Sequence, residues 1–204
     1  MASTSHRSHH IITTPRLYVR SANLSDAEGI YRVLSNPLNF PHNPVDPDLT
    51  PEVFEKRIAK WKAAASKGES AFMIVVLRET NQVIGMGGFN VLRQWPALDG
   101  SGELELEGDT GLVLDHSLWR KGYAREAFCG TCEYGFDELH CGHMFVDTSL
   151  ENEEWRSFMR HLGLGEGELE QLDGREGENY VYRFDKNTWL KVKENLIAKG
   201  KWPL

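Results

Sequence analysis

The chain has 204 residues, 40% apolar and 26% charged, a size and balance that fit one soluble domain able to bury its own core. A net charge of −7 argues against a broad basic face for nucleic acid, yet leaves room for an anionic coenzyme held locally by backbone amides. No apolar run reaches the roughly 18 residues of a membrane span, and the opening MASTSHRSHH lacks the apolar core of a signal peptide.

Residues 1–13 read as a disordered tail, followed by a single domain over 14–204. His6, His9 and His10 fall in that tail as solvated side chains, and no metal is expected. Leu17–Arg20 alternates as a half-buried strand. Residues 23–36 carry Ala27, Ile30, Tyr31 and Leu34 at helical spacing, with Asn23 or Ser25 as cap. Three prolines make residues 40–50 a loop. A second helix starts at Pro51, with Phe54, Ile58, Trp61 and Ala65 on one face. The apolar run at 72–78 predicts a strand covered on both faces, and 83–92 pairs with it as a hairpin.

Residues 94–102 read as a loop and 104–114 as a strand, in which Gly108 and Gly111 hint at a bulge or a close backbone approach. A helix over 122–139, a strand over 143–148 and a helix over 153–164 follow. Residues 165–177 are polar, acidic and Gly-rich, hence a loop. A strand at 180–184 and a helix at 188–196 close the chain. This order predicts an α/β fold with helices packed on a mixed sheet. The three cysteines, Cys129, Cys132 and Cys141, read as reduced thiols on or near a packed helix. That suits a reducing, cytoplasmic location.

The informative junction is Trp119, Arg120, Lys121, Gly122, Tyr123, Ala124 and Arg125. A strand runs into a short connection and opens a helix, whose first turn has unpaired N–H groups and the positive end of the dipole. Gly122 lets the chain turn and lets an anion approach, and Ala124 keeps the next position small. The basic side chains add charge. On these residues alone, an anion site and an ordinary solvated helix start stand about even.

This stretch resembles the acetyl-CoA signature of the GNAT superfamily: Arg or Gln, two residues, Gly, any residue, then Gly or Ala. Gly122 and Ala124 match, and Trp119 stands at the first position. The form W-x-K-G-Y-A-x-E-A is similar to the branch containing the ribosomal-protein N-terminal acetyltransferases, and Asp109, Thr110 and Gly111 match the acidic-x-Gly that precedes the signature there. Downstream, Asn152 and Gly163 match a second motif, while Trp155, His161 and Leu164 replace its Ser, Lys and Phe. Asn152 also suits a plain helix cap before Glu153.

The resemblance implies a GNAT acyl-CoA N-acyltransferase fold, a central mixed, mostly antiparallel sheet flanked by helices. It also implies acetyl-CoA as co-substrate, a primary amine as acceptor (a small molecule or a protein N-terminus) and direct attack in a ternary complex. The protein would be a monomer or homodimer without nucleic-acid or membrane partners. Backbone groups of Leu112, Val113 and Leu114 would hold the acetyl and pantetheine arms, residues 119–125 the pyrophosphate, and Asn152 would assist. Asp109 is the first candidate base, with Glu107 and Glu105 behind it. Any one of the strand's glutamates also reads as part of a solvated face. Ser149 and Tyr182 are candidates for the proton donor to the leaving thiolate, and Trp95 for acceptor contact. The alternative reading is a GNAT-fold module that holds acyl-CoA without turnover.

Overall fold

The computed structural model describes residues 7–174 and 177–204. Residues 1–6 of the expected tail, His6 among them, and residues 175–176 of the expected loop lie outside the described residues. In chain order the elements are β1 (Ile11–Thr13), β2 (Leu17–Arg20), α1 (Ala27–Leu34), α2 (Pro51–Ser66), β3 (Ala71–Leu77), β4 (Val83–Pro96) and β5 (Leu104–Thr110). Then come β6 (Val113–Leu114), α3 (Tyr123–Asp137), β7 (His143–Ser149), α4 (Glu153–Leu162), β8 (Glu168–Gln171), β9 (Glu178–Asp185) and α5 (Lys186–Ala198). They gather into two compact units, Met1–Leu92 with Gly111–Thr131 and Leu204, and Arg93–Thr110 with Cys132–Pro203.

In the first unit, β1, β2, β3 and β4 are antiparallel neighbours, with Ile12 opposite Val19, Val19 opposite Val75 and Met73 opposite Gly87. The expected disordered tail is therefore wrong for Ile11–Thr13, which pair with β2, and His10 just before them is buried. Helix α1 buries Ala27, Ile30 and Val33, one stripe at helical spacing. Thr50 caps α2 by accepting from Val53 N at 3.4 Å, and Pro51 fills the first helical position, where no N–H is needed. Ala27, Ile30, Phe54 and Ile58 from the helices then close on Ile74, Val76 and Val83 of the strands. Full burial of each larger member contributes about 1.5–3 kcal/mol. Trp61 stacks on Phe72 at 5.3 Å between ring centroids, so it is a packing residue.

In the second unit, β5 runs parallel to β7, β7 antiparallel to β9, and β9 antiparallel to β8. Helix α4 buries Met159 and Leu162 and ends at Gly163, whose φ of 103° is the left-handed cap a glycine supplies without strain. Helix α5 is anchored by Trp189, buried to 1% exposure, whose indole N–H donates to Glu133 Oε1 at 2.6 Å. Phe184 lies 6.3 Å from Phe136 and 6.0 Å from Trp189, between β9 and its two helical neighbours.

Both units are thus helices on mostly antiparallel strands, with β5 and β7 a parallel pair: a mixed α/β fold. Three boundaries depart from the expected ones. Strand β4 continues to Pro96, through residues expected in a loop. The expected strand over 104–114 is two strands, interrupted at Gly111 and Leu112. Strand β8 lies inside the expected loop at 165–177. Among the described residues no helix is long and apolar enough to cross a membrane.

Candidate active site

In the first unit, β6 follows the interruption at Gly111 and Leu112. Strand β6 pairs with β4, Gly85 opposite Leu114 and Met86 opposite Val113. That approach needs glycine at 85, where a Cβ would fall 2.3 Å from Val113 O. Leu112 and Val113 are half-buried and Leu114 is buried. The chain next makes a 3-10 turn over His116–Leu118, capped by Asp115, whose Oδ1 accepts from Ser117 N at 3.1 Å and Ser117 Oγ at 2.7 Å.

Trp119 explains its own departure from the signature. Its indole N–H donates to Leu114 O at 2.8 Å, stapling the end of the turn back to β6. Arg120 (φ 61°) and Gly122 (φ 83°) then take left-handed conformations on either side of Lys121. This is tolerated at Gly122 and uncommon for an arginine. Helix α3 starts at Tyr123, and the first intrahelical bond closes from Glu126 N to Gly122 O at 3.1 Å. The N–H groups of residues 123–125 therefore precede the ladder and have no intrahelical acceptor. Arg120 and Lys121 are exposed and Arg125 half-buried. Among the described residues none of the three has a carboxylate partner. Unpaired donors, unpaired cations and a glycine at the turn fit a pyrophosphate.

Behind this loop lies a feature the sequence reading missed. Glu126 is 1% exposed, and its carboxylate accepts from Thr14 Oγ1 at 2.7 Å, Arg16 N at 2.6 Å and Arg16 Nε at 2.6 Å. Arg16 also donates through Nη1 to Lys121 O at 3.0 Å and lies over the Tyr123 ring at 4.3 Å. A lone glutamate in the first turn of a helix reads as a solvated charge favoured by the dipole. Only the tertiary partner reveals it as an anchor.

In the second unit, Glu105, Glu107 and Asp109 alternate onto one face of β5. Glu107 is completely buried, which corrects the expectation of a solvated strand face. Its carboxylate accepts from Arg93 Nε at 2.7 Å and faces His143 Nε2 at 3.0 Å, while His143 Nδ1 meets Glu105 Oε1 at 2.6 Å. Both ring nitrogens thus face carboxylates, and only an imidazolium donates on both sides. Burial pulls His143 toward the neutral form, but the hydrogen bonds and charges of Glu107 and Glu105 outweigh it and raise its pKa. Burial likewise pushes Glu107 up, and the hydrogen bonds and charges of His143 and Arg93 hold it below the ordinary carboxylate range. Glu107 is thereby corrected from candidate base to buried ion-pair partner. Trp95, 38% exposed, carries the Arg93 guanidinium over its ring at 4.6 Å.

Asp109 is half-buried and stands opposite Phe145 in the parallel register. Residues 145, 147 and 149 of β7 share that face by alternation. Ser149 is therefore on the face of Asp109, and its Oγ is buried with no hydrogen-bond partner among the described residues. It stands four residues beyond Phe145, roughly 13 Å along the strand, too far for both groups to touch one reacting centre. Tyr182 pairs with Val146 and so belongs to the opposite face. It lines a cavity of about 310 Å³ with Leu164, Glu166 and Glu168, and burial pushes its hydroxyl pKa up. This removes Tyr182 as a partner for Asp109. Asn152 caps α4, its Oδ1 accepting from Trp155 N at 3.1 Å. Burial pushes the Cys141 thiol up to about 12, and Cys129 and Cys132 are equally buried, so none is a reactive thiolate. Among the described residues no group of three or more His, Cys, Asp or Glu is arranged to hold a metal ion.

Comparison with known proteins bears on the family and the fold. The family model described as an acetyltransferase (GNAT) domain matches residues 16–165. An uncharacterized N-acetyltransferase of Bacillus licheniformis, p20, is 27% identical over 139 residues, 68% of this chain and 73% of that protein. Among solved structures, RimJ of Mycobacterium smegmatis in complex with CoA-disulfide superposes with a TM-score of 0.70 at 15% identity, covering 95% of this chain and 94% of that one. Apo FdhC, described as a nucleotide-linked sugar GNAT, gives 0.68 at 21% identity over 96% and 99%. At such identities the structural matches show the fold. The strip of unpaired donors at the start of α3 and the family match converge: this chain belongs to the GNAT acetyltransferase family and is an acetyl-CoA-dependent acyltransferase.

Proposed function

We propose that the protein is an N-acetyltransferase that moves an acetyl group from acetyl-CoA to a primary amine, on a small molecule or a protein N-terminus, by direct attack in a ternary complex. The observation that carries this reading is the loop of residues 119–125, with its N–H groups and three cations that have no carboxylate partner among the described residues. When bound, the coenzyme supplies the thioester carbonyl that the amine attacks. Backbone groups of Leu112, Val113 and Leu114 orient the pantetheine arm. The N–H groups of residues 122–125, with Arg120, Lys121 and Arg125, hold the pyrophosphate. Asn152 keeps its capping bond, and its part in holding the coenzyme rests on the motif resemblance alone.

Asp109 draws the proton from the incoming ammonium, directly or through water, since only the neutral amine is nucleophilic. The net charge of −7 favours a cationic acceptor. We read the chain as one GNAT domain after its N-terminal segment, acting in the cytoplasm as a monomer or homodimer. Measuring thiol release from acetyl-CoA across a panel of amines tests the activity. Release with at least one amine is expected, and release with none across small amines and peptide N-termini would count against it.

One observation favours a second reading, a module that holds acyl-CoA without turnover. Neither candidate acid stands beside Asp109: Ser149 is two face positions away and Tyr182 lies on the other face. Thermal stabilisation by acetyl-CoA without thiol release would select it.

A further inference from the structure

Arg16 immediately precedes β2, far in sequence from residues 119–125, yet it reaches that loop at three points. Nη1 donates to Lys121 O at 3.0 Å, the guanidinium covers the Tyr123 ring at 4.3 Å, and Nη2 lies 3.4 Å from the place a Cβ on Gly122 would occupy. Its other edge is fixed. Nε and the backbone N–H both end on Glu126 at 2.6 Å, and that carboxylate is buried at 1% exposure. Thr14 adds a third donor at 2.7 Å.

The chemistry of the contacts decides what this arrangement does. Lys121 sits between two residues of left-handed φ, Arg120 at 61° and Gly122 at 83°. A non-glycine residue at such a φ relaxes unless its surroundings hold it. Arg16 grips the carbonyl between the two turns, where a relaxation of either would swing it away. The planar guanidinium allows this, because it presents one edge to a carboxylate and another to a carbonyl at once. The side chain remains 45% exposed, and Nη2 lies on its Gly122 side.

We propose that Arg16 is a positioning residue for the coenzyme: anchored on buried Glu126, it locks the Arg120–Lys121–Gly122 turn in the shape that presents N–H groups to the pyrophosphate, and it offers Nη2 as one further donor. This rests on the reading of residues 119–125 as the pyrophosphate site. A lysine does not replace it, since a single ammonium does not span Glu126 and the Lys121 carbonyl with fixed geometry.

The test compares two probes. Acetyl-CoA binding is measured by calorimetry and S-acetylpantetheine, which lacks the pyrophosphate, by NMR titration, on wild type, Arg16→Gln, Arg16→Lys and Gly122→Val. Arg16→Gln is expected to weaken acetyl-CoA binding roughly tenfold, the scale of one charge-assisted hydrogen bond, and to leave S-acetylpantetheine unchanged. Arg16→Lys, the milder change for folding, should show the same split. Equal weakening of both probes would reduce Arg16 to support of the fold and overturn the proposal. If Gly122→Val weakens acetyl-CoA binding while both Arg16 variants bind as wild type does, the proposal falls and the pyrophosphate reading stands. If Gly122→Val has no effect, the pyrophosphate reading itself falls.

Discussion

One cluster in each unit uses the same residue types in opposite ways. In the second, Glu107, His143, Arg93 and Glu105 are matched to one another within 2.6–3.0 Å, and Glu107 and His143 are fully buried. In the first, Arg120, Lys121 and Arg125 have no carboxylate partner among the described residues and stand beside N–H groups with no helical acceptor. Charge that is matched and buried holds strands together. Charge left unmatched on a turn with positive φ is available to a ligand. Counting acidic and basic residues along the sequence does not separate these cases, but partners and burial do.

The largest expected break is at the matched cluster. Glu107→Ala leaves His143 and Arg93 without their shared carboxylate, and losing one member of a buried ion pair costs about 3–5 kcal/mol. Urea unfolding should show that loss, with acetyl-CoA binding by the folded protein little changed. For the proposed base, Asp109→Asn is expected to lower turnover on the order of a hundredfold, the low end for a general base. Calorimetric affinity for acetyl-CoA should stay near wild type. Unchanged turnover and pH profile would remove Asp109 as the base.

Much of the fold was legible because its signals are local. The stripe Ala27, Ile30, Tyr31 and Leu34, the apolar run of β3 and the Gly122–Ala124 turn carry their period or conformational demand in nearby residues. The missed elements depend on remote partners. Strand β8, Glu-Leu-Glu-Gln, has an acidic, mostly exposed surface and exists as an edge strand only because β9 supplies a ladder. The pairing of Ile11–Thr13 and the burial of Glu107 and Glu126 depend likewise on residues far along the chain. The turn at residues 119–125 was legible as a place where the chain turns, but the reach of Arg16 to the Lys121 carbonyl, 105 residues further on, was not.

Two smaller effects sharpen the contrast. Gly142→Ala would place a Cβ 2.0 Å from Glu105 Oε2, displacing that carboxylate from His143. Because Glu105 is partly exposed and free to reorient, the expected cost is only about 1 kcal/mol by urea unfolding. The pH dependence of the thermal midpoint should carry the signature of the same cluster. His143 has a raised folded pKa, so its contribution is complete below 6.5 and is lost as pH rises toward the folded value. Glu107 has a depressed one, so its contribution is complete above 4.5 and is lost as pH falls toward the folded value. A plateau between those limits is expected, and in His143→Gln the alkaline decline assigned to the imidazolium should vanish.

The central claim is that unmatched donors at the start of α3 are where the coenzyme sits. Titrating acetyl-CoA into uniformly 15N-labelled protein and following the backbone amides tests it residue by residue. The account predicts that the largest shifts fall on Val113, Leu114 and residues 122–125, while the amides of Glu107 and His143 barely move. Saturable binding whose shifts cluster elsewhere, with residues 122–125 unmoved, would contradict it.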